Sequence, residues 1–212
     1  MKTALYTIGH SQHKMEYFLQ MLKTQGINYV LDVRSTPYSQ FASEYNKENI
    51  RAILKNHNII YSFMGTYFGA RQKDAALYTK EGYLDFEKTK RYFGFQQGVQ
   101  SVMKGLNQGY HIAFMCTEKD PIECHRAILV ANAFYEMGID VQHIMPDNTL
   151  QSHQRLNKRL LDVYFPDRNQ ISLFVEDNMT EDQCLEIAYR EQNKKIGYHQ
   201  RAEDENLVAV FG

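Results

Sequence analysis

Apolar residues in the first two thirds of the chain fall into short runs separated by longer stretches of helical spacing. A run of about five apolar residues between polar turns predicts a buried β-strand, and apolar positions at helical spacing predict an amphipathic helix. Strands are predicted at residues 4–8, 28–33, 59–63, 111–115 and 140–144. Helical patterns lie between them, in the alternating order that is typical of a parallel sheet.

The first predicted helix has one apolar face, formed by Met15, Phe18, Leu19 and Leu22. Ser11 is expected to cap the start of this helix, and Gly26 to end it. Further helices are predicted at residues 46–55, 84–106, 127–137 and 149–163. Residues 64–83 show no clean period and are expected to form a long loop.

These elements predict an α/β fold with a mostly parallel central sheet and helices on both of its faces. The α/β domain is expected to span residues 1–165. Beyond Pro166 the sequence becomes more charged and its periodicity breaks up. Residues 166–212 are therefore expected to form a small C-terminal extension packed on the domain, with an edge strand at 171–175 and a helix from Glu181 to Gln192.

Net charge, the length of the apolar runs and the number of cysteines exclude several classes of function. Lys and Arg number 24 against 25 Asp and Glu, so the net charge of −1 excludes a large basic field for nucleic acid, although a local basic cleft stays open. No apolar run approaches the roughly 18 residues that a membrane span needs. The N-terminus does not resemble a secretory leader, and three cysteines then suggest a reducing compartment. We expect a cytoplasmic protein without membrane contact.

The loop after the predicted strand at 111–115 concentrates chemically active groups. It carries Cys116, Glu118, Cys124, His125 and Arg126 before the next helix begins. Ligands of open α/β sheets bind just beyond the carboxyl ends of strands, so this loop is the first candidate for a site. The thiolate form of Cys124 is favoured by a helix start and by the neighbouring imidazole.

Two other strands also end in polar groups. His10 and Ser11 follow the first strand, and Asp32 and Arg34 end the second. In a parallel sheet these ends lie along one edge, so their side chains could converge on the loop at 116–126. The residues expected to act in catalysis are Cys116, Glu118, Cys124, His125 and His10. The residues expected to bind substrate are Ser11, Asp32, Arg34, Arg71 and Arg126.

Each of these residues also has a simpler interpretation. A cysteine at a strand end is often only a small buried apolar group. Arg34 and Arg126 could be ion-pair partners of Asp32 and Glu118, or they could clamp a phosphate or carboxylate of a substrate. A disulfide between Cys116 and Cys124 is not expected as a resting state in a reducing compartment.

A metal site is the weaker interpretation of the same residues. His10, Cys116, Cys124 and His125 would form a soft donor set suited to zinc. However, seven residues between the two cysteines is not a standard ligand spacing, and adjacent Cys and His side chains rarely share one ion. The sequence therefore assigns no metal ligand, and it identifies no cofactor.

Five short motifs together resemble one protein family. They are Thr-Ile-Gly-His-Ser at 7–11, Asp-Val-Arg at 32–34, Tyr-Asn-Lys-Glu at 45–48, Cys-Thr-Glu at 116–118 and Cys-His-Arg at 124–126. The family is catalogued as domain of unknown function 488, and the resemblance runs from about residue 3 to residue 160. It implies an α/β fold and directs attention to the motif residues, but it implies no reaction.

The chain departs from the family pattern at Ala70, where a second glycine usually precedes the arginine corresponding to Arg71. A fainter similarity to rhodanese-type sulfurtransferases rests on residues 30–34, on the strand that ends at Cys116, and on residues 138–144. Arg126 lies further from Cys116 than the compact rhodanese loop allows.

Three functions follow from these patterns. The first is an enzyme acting on a small anionic, phosphate- or nucleotide-bearing substrate, with Cys, His and Glu as reactive groups and Arg as anion clamps. The second is a nucleic-acid-binding module, since Tyr61, Tyr67, Tyr78 and Tyr83 lie near cationic residues and could stack on bases. The third is a domain braced by a metal or by redox-active thiols. The sequence favours the enzyme, and it indicates no oligomeric state.

Overall fold

The computed structural model describes residues 4–11, 13–168 and 179–200. Six strands are present in this part of the chain: β1 (Ala4–Gly9), β2 (Tyr29–Asp32), β3 (Ile60–Phe63), β4 (Ile112–Cys116), β5 (Asp140–Ile144) and β6 (Leu150–Ser152). Its α-helices are α1 (Met15–Thr24), α2 (Lys47–Asn56), α3 (Gly65–Phe68), α4 (Phe86–Arg91), α5 (Phe93–Asn107), α6 (Asn132–Glu136), α7 (His153–Tyr164) and α8 (Glu181–Ile196).

The strands form one sheet in the order β3-β2-β4-β1-β5-β6. All neighbouring pairs are parallel except β5 with β6, which is antiparallel. The predicted α/β fold with a mostly parallel sheet is confirmed. The sequence missed β6, because residues 150–152 were assigned to the start of a helix that begins only at His153.

Alternating side chains of the strands enter two separate cores, one on each face of the sheet. Val30 and Ile8 lie in the core that α1 and α2 cover, while Leu31 and Phe114 lie in the core that α5 and α7 cover. Period-two alternation with apolar residues on both faces is what a buried parallel strand requires. Helices therefore flank both faces, as predicted.

The first predicted helix and the helix predicted over residues 84–106 also differ from the prediction. Helix α1 has Lys14 and not Ser11 at its N-cap, because Ser11 takes a left-handed turn (φ 38°) that belongs to the loop after β1. The helix predicted over residues 84–106 is two helices, broken at the extended Tyr92 (φ −67°, ψ 138°). Gly98 in α5 leaves room for Tyr67 and Phe68, which a Cβ atom at this position would overlap.

Helix α8 packs against the domain. It is capped by Thr180, whose hydroxyl accepts from the backbone N–H of Gln183 while the Gln183 side chain accepts from the N–H of Thr180. Cys184 and Ala188 are buried, and the Gln192 amide donates to the carbonyl of Ile122. The edge strand predicted at 171–175 lies outside the described residues, and the domain boundary at residue 165 stays a prediction.

No helix in the described ranges has both the length and the apolar character that crossing a membrane requires.

Two buried histidines join the sheet to the helices. Thr7 Oγ1 lies 2.8 Å from His143 Nδ1, His143 Nε2 lies 3.1 Å from His153 Nδ1, and His153 Nε2 lies 2.9 Å from the hydroxyl of Tyr189. Burial, followed by nearby Lys90, lowers the pKa of His153 to about 3. The pKa of His143 is lowered by burial and then by His153. Both imidazoles are therefore neutral at pH 7.

A pH dependence of stability follows from this pair. Because the pKa of His153 is lower in the folded chain than in the unfolded chain, its contribution is fully present above about pH 6.5 and is lost as the pH falls. At pH 5.5 the loss is about 1.4 kcal/mol for one such histidine. In urea denaturation at pH 7.5, 6.5 and 5.5, His153→Gln should flatten the pH dependence by this amount. The same substitution at exposed His57 is the control, and an unchanged slope in His153→Gln would contradict the prediction.

Candidate active site

The carboxyl ends of β2, β4 and β1 lie side by side, because β4 is placed between β1 and β2. Gly9 is paired with Cys116, and Asp32 with Met115. Beyond the strand ends, the N–H of Ser11 donates to the carbonyl of Thr117 at 2.9 Å. The loops that carry the predicted site residues are therefore in direct contact.

Gly9 allows this contact to be close. A Cβ atom at this position would overlap the carbonyl oxygen of Glu118 and would lie 3.2 Å from Nη2 of Arg126. The absence of a side chain at Gly9 is what lets the 117–119 loop fold down onto the end of β1.

Four side chains form a compact group at this edge, which we call the cysteine cluster: Cys116, Glu118, Cys124 and His125. One donor atom from each lies within 4.8 Å of the others. The thiol of Cys124 donates to Oε2 of Glu118 at 2.8 Å, and Sγ of Cys116 lies 3.9 Å from Nδ1 of His125. Cys116, Cys124 and His125 are buried, whereas Glu118 is exposed.

Local structure brings Cys124 and His125 back to the strand end. Asp120 caps a 3₁₀ turn (Pro121–Glu123) by accepting from the N–H of Ile122. Cys124 follows this turn in extended conformation, and a buried π-helical segment (Arg126–Ala131) begins just after His125. Segments of π-helix occur often at functional sites. The single helix predicted from residue 127 is thus a π-helical segment that leads into α6.

Hydrogen bonds fix the imidazole of His125. Its Nε2 lies 3.0 Å from the carbonyl oxygen of Val33, so Nε2 carries hydrogen and the lone pair of Nδ1 faces the sulfur atoms in the neutral form. Burial acts to lower the pKa of His125, but Cys124 and Glu118 outweigh burial and raise it.

The hydrogen bond between Cys124 and Glu118 links the protonation of the two groups. The Glu118 residue as a whole is exposed, but its carboxyl lies against buried Cys124; the resulting loss of hydration, and then Cys124 itself, raise the pKa of this carboxyl. Burial opposes the thiolate of Cys124, but contacts with Cys116, Arg126 and His125 lower the pKa of this thiol. Burial and Cys124 raise the pKa of Cys116. Both cysteines of the cluster are free thiols.

Arg126 lies under the cluster and is fully buried. Its Nη1 donates to the carbonyl of Glu118 at 2.8 Å, and its backbone N–H donates to Sγ of Cys124. Its Nε has no hydrogen-bond partner, and no carboxylate of a described residue forms an ion pair with it. Since a buried cation needs a compensating charge, Arg126 stabilises negative charge on the cluster.

Asp32 and Arg34 form a second group beside the cluster. The guanidinium of Arg34 makes two bonds to the Asp32 carboxylate, 2.9 Å from Nε and 2.6 Å from Nη2. Asp32 also accepts from the hydroxyl of Tyr61 at 2.7 Å, and Arg34 donates to the carbonyl of Tyr45. Arg34 was considered as an ion-pair partner of Asp32 or as a clamp for a substrate anion, and these contacts fit the ion-pair partner. Substrate binding by Asp32 and Arg34 stays a prediction.

His10 belongs to this second group and not to the cysteine cluster. Its ring stacks on Tyr45 with centroids 4.2 Å apart, and its Nε2 lies 3.3 Å from Nη1 of Arg34. Burial, then Arg34 and Arg126, lower the pKa of His10 to about 3, so the ring is neutral. Because Arg34 can only donate, Nε2 accepts and Nδ1 carries a hydrogen that has no partner.

No hydrogen bond or ion pair joins the Arg71 side chain to either group in the described part of the chain. Its guanidinium lies over the ring of Tyr198 at 4.6 Å, and its backbone N–H donates to the hydroxyl of Ser35. Ser11 contacts the 117–119 loop through its backbone. The structure therefore brings Ser11 to the strand edge and leaves Arg71 in the loop after α3.

Three groups were not expected to contact the site residues: the ring of Tyr45, which belongs to one of the five motifs, the hydroxyl of Tyr61, which was considered for base stacking, and the carbonyl of Val33. Their contacts join residues far apart in the chain, which no local motif reveals. The tyrosines considered for base stacking are only partly available, since Tyr61 and Tyr78 are buried while Tyr67 and Tyr83 are half-buried.

A cavity of about 200 Å³ lies beside Tyr45. It is lined by His13 and by residues 41–45. Two larger cavities lie elsewhere, one beside β3 and the other beside α8. The cysteine cluster lines none of these three cavities, and it reaches solvent through Glu118.

The sequence model of one protein family, described as Domain of unknown function DUF488, matches residues 14–133. This stretch is more than half of the 212 residues and contains the whole cysteine cluster, together with Asp32 and Arg34. It is shorter than the resemblance inferred from the motifs, and His10 and Ser11 lie outside it. No curated protein and no solved structure matches the chain significantly, so the similarity to rhodanese-type domains has no support.

Proposed function

Because the chain belongs to the DUF488 family, whose description assigns no reaction, we propose a function from the site itself: an enzyme that hydrolyses a small anionic substrate. The reactive centre is the cysteine cluster, and Glu118 is its proton-transferring group. The supporting observation is the position of Glu118, which bonds to the buried thiol of Cys124 at 2.8 Å and is itself exposed. A carboxyl that reaches both a buried polar cluster and solvent suits general acid–base catalysis.

The anionic character of the substrate is supported by two donors without acceptors. Nδ1–H of His10 and Nε–H of Arg126 are buried and unpartnered, and both belong to the strand edge that carries the cluster. Buried donors are nearly always paired, so unpaired ones call for an acceptor. An anionic group of a substrate would supply it.

The proposed step is hydrolysis with Glu118 as the proton carrier. The carboxylate takes a proton from water as the water oxygen bonds to the electrophilic carbon or phosphorus of the substrate. The bond from that atom to the leaving group breaks, and the protonated carboxyl returns the proton to the leaving group. Cys116 and Cys124 are both buried, which disfavours direct attack by either sulfur on a substrate.

Glu118→Gln tests this role. The amide keeps the size of the side chain but cannot accept a proton, so the turnover number should fall about 100-fold or more. The measurement is release of nitrophenol from a panel of p-nitrophenyl phosphate monoester, phosphodiester, sulfate and dicarboxylate half-ester. Glu123→Gln is the matched control, because Glu123 is an exposed glutamate nearby that pairs with Lys195.

Two outcomes would contradict the proposal: no member of the panel is turned over by the natural chain, or Glu118→Gln keeps the natural rate. A rate that falls equally in Glu123→Gln would also count against a specific role for Glu118.

Two further expectations belong to this proposal. A cytoplasmic location fits three free thiols, which persist in a reducing compartment. The alternative of a nucleic-acid-binding module receives less support, since burial of Tyr61 and Tyr78 removes two of its four stacking candidates.

A further inference from the structure

We propose that the cysteine cluster is a zinc site, with Cys116, Cys124 and His125 as its ligands and Glu118 beside an open fourth position. This inference rests on the proposed function, since it supplies the agent that activates water for Glu118. Zinc content tests the metal site and turnover tests the proposed function, so either proposal can fail without the other.

The spacing of the donor atoms fits one small ion. All four lie within 4.8 Å of one another, and Cys116 Sγ and His125 Nδ1 are 3.9 Å apart. With zinc at about 2.3 Å from sulfur and 2.0 Å from nitrogen, ligand atoms in a tetrahedron are separated by about 3.3–3.8 Å. Side-chain shifts of about 1 Å or less would close the site.

The imidazole of His125 is already oriented as a ligand. Its Nε2–H donates to the carbonyl of Val33 at 3.0 Å, which directs Nδ1 toward the sulfur of Cys116. Histidines that bind metals usually donate their second ring N–H to a carbonyl or carboxylate, and this bond fixes the tautomer. A histidine needed only for packing would not require its free nitrogen to face two thiols.

Charge supports a divalent ion at this position. Two thiolates and the Glu118 carboxylate carry three negative charges, while a divalent ion and the buried guanidinium of Arg126 carry three positive charges. The site is then neutral with every ligand deprotonated, which removes the cost of a buried net charge. Binding of the ion would release two protons, the one on Cys116 and the one in the hydrogen bond between Cys124 and Glu118.

The donor types select zinc. Two thiolates and one imidazole form a soft set that suits zinc and does not suit magnesium or calcium, which prefer oxygen. Three protein ligands with an open fourth position are the arrangement of catalytic zinc. Bound there, zinc would lower the pKa of water held between the ion and Glu118.

The sequence disfavoured this site because of the spacing of its cysteines and because adjacent Cys and His side chains rarely share one ion. In the structure the donor atoms of Cys124 and His125 nevertheless lie within 4.8 Å of each other. The 3₁₀ turn (Pro121–Glu123) folds the segment back, so the long spacing between Cys116 and Cys124 still brings the sulfurs together. His10, which was considered as a ligand, contacts Arg34 and lies outside the cluster, whose fourth member is Glu118.

The test is the zinc content of the full chain, purified without a tag under reducing conditions and then equilibrated with zinc and dialysed. The natural chain should keep about one zinc per chain by mass spectrometry of the metal. Cys124→Ser and His125→Gln should each keep less than about a tenth of this amount. Cys184→Ser is the matched control, because Cys184 is a buried thiol in α8 outside the cluster, and its zinc content should not change.

Glu118→Gln separates the two proposals. It should keep zinc while losing turnover, because Glu118 acts on the water and is not a permanent ligand. A natural chain that keeps no zinc, with Cys116 and Cys124 alkylated equally fast with and without zinc, would overturn the inference whatever the stability of the variants. Loss of turnover in Glu118→Gln in a protein without zinc would leave the proposed function standing. Stoichiometric zinc without turnover of the panel would remove the proposed function and leave the zinc site.

Discussion

Asp32→Asn is expected to lower the free energy of unfolding by about 3–5 kcal/mol, the usual cost of breaking a buried ion pair. Asp32 is fully buried and Arg34 nearly so, and the guanidinium holds both carboxylate oxygens. The asparagine leaves Arg34 charged, buried and without a counter-ion. Tyr61 keeps a hydrogen-bond acceptor in the amide oxygen, so the loss reports mainly on the charge.

Urea denaturation followed by circular dichroism measures this effect, and two further variants make it specific. Asp120→Asn breaks the partly exposed pair with Arg159 and should cost only about 0.2–1 kcal/mol. The double variant Asp32→Asn with Arg34→Met should cost less than the sum of the two single changes, by about 2 kcal/mol or more. Additive costs would mean that the two side chains do not act as a pair.

Gly9→Ala is the second change with a large expected effect. A Cβ atom would overlap the carbonyl oxygen of Glu118, and a backbone atom cannot move aside as the end of a side chain can. We expect a loss of about 3 kcal/mol, at the upper end of the cost of overpacking. Because the 117–119 loop must move to relieve the overlap, turnover and zinc retention should both fall.

The control for Gly9→Ala is Gly105→Ala. Its Cβ would lie 3.0 Å from Cδ1 of Ile112, the mobile end of a side chain, and alanine favours the helix by about 1 kcal/mol. Stability should therefore change by no more than about 1 kcal/mol. If Gly9→Ala proves as mild as Gly105→Ala, the close approach of the loop to β1 is not needed for stability.

Local periodicity predicted most of the fold. The five apolar runs are the five parallel strands, and Gly26 and Gly138 end their helices in left-handed conformation (φ 63° and 82°). The three-residue strand β6 could not be predicted in this way, because it is too short to show a period and pairs only at the edge. The break at Tyr92 likewise has no local signal, since the apolar spacing continues through it.

The sequence located the site at the strand ends, but it did not show how the side chains there are grouped. The order of strands and loops predicted that polar groups would meet beyond β1, β2 and β4. It did not distinguish a cluster around Cys124 from the pair formed by Asp32 and Arg34, because that division depends on side-chain directions. The sequence assigned His10 a catalytic role and left open whether Arg34 is a substrate clamp or the ion-pair partner of Asp32. In the structure Nε2 of His10 contacts Arg34, and the Arg34 guanidinium is bonded to Asp32.

The most direct test of the central claim, that four side chains form one metal-dependent centre, is X-ray absorption at the zinc edge of the zinc-loaded chain. The proposed site requires a four-coordinate ion with two sulfur atoms at about 2.3 Å and two nitrogen or oxygen atoms at about 2.0–2.1 Å. One sulfur should disappear from this shell in any zinc that Cys124→Ser retains. A shell of nitrogen and oxygen alone in the natural chain would show that zinc binds elsewhere, and would contradict the claim.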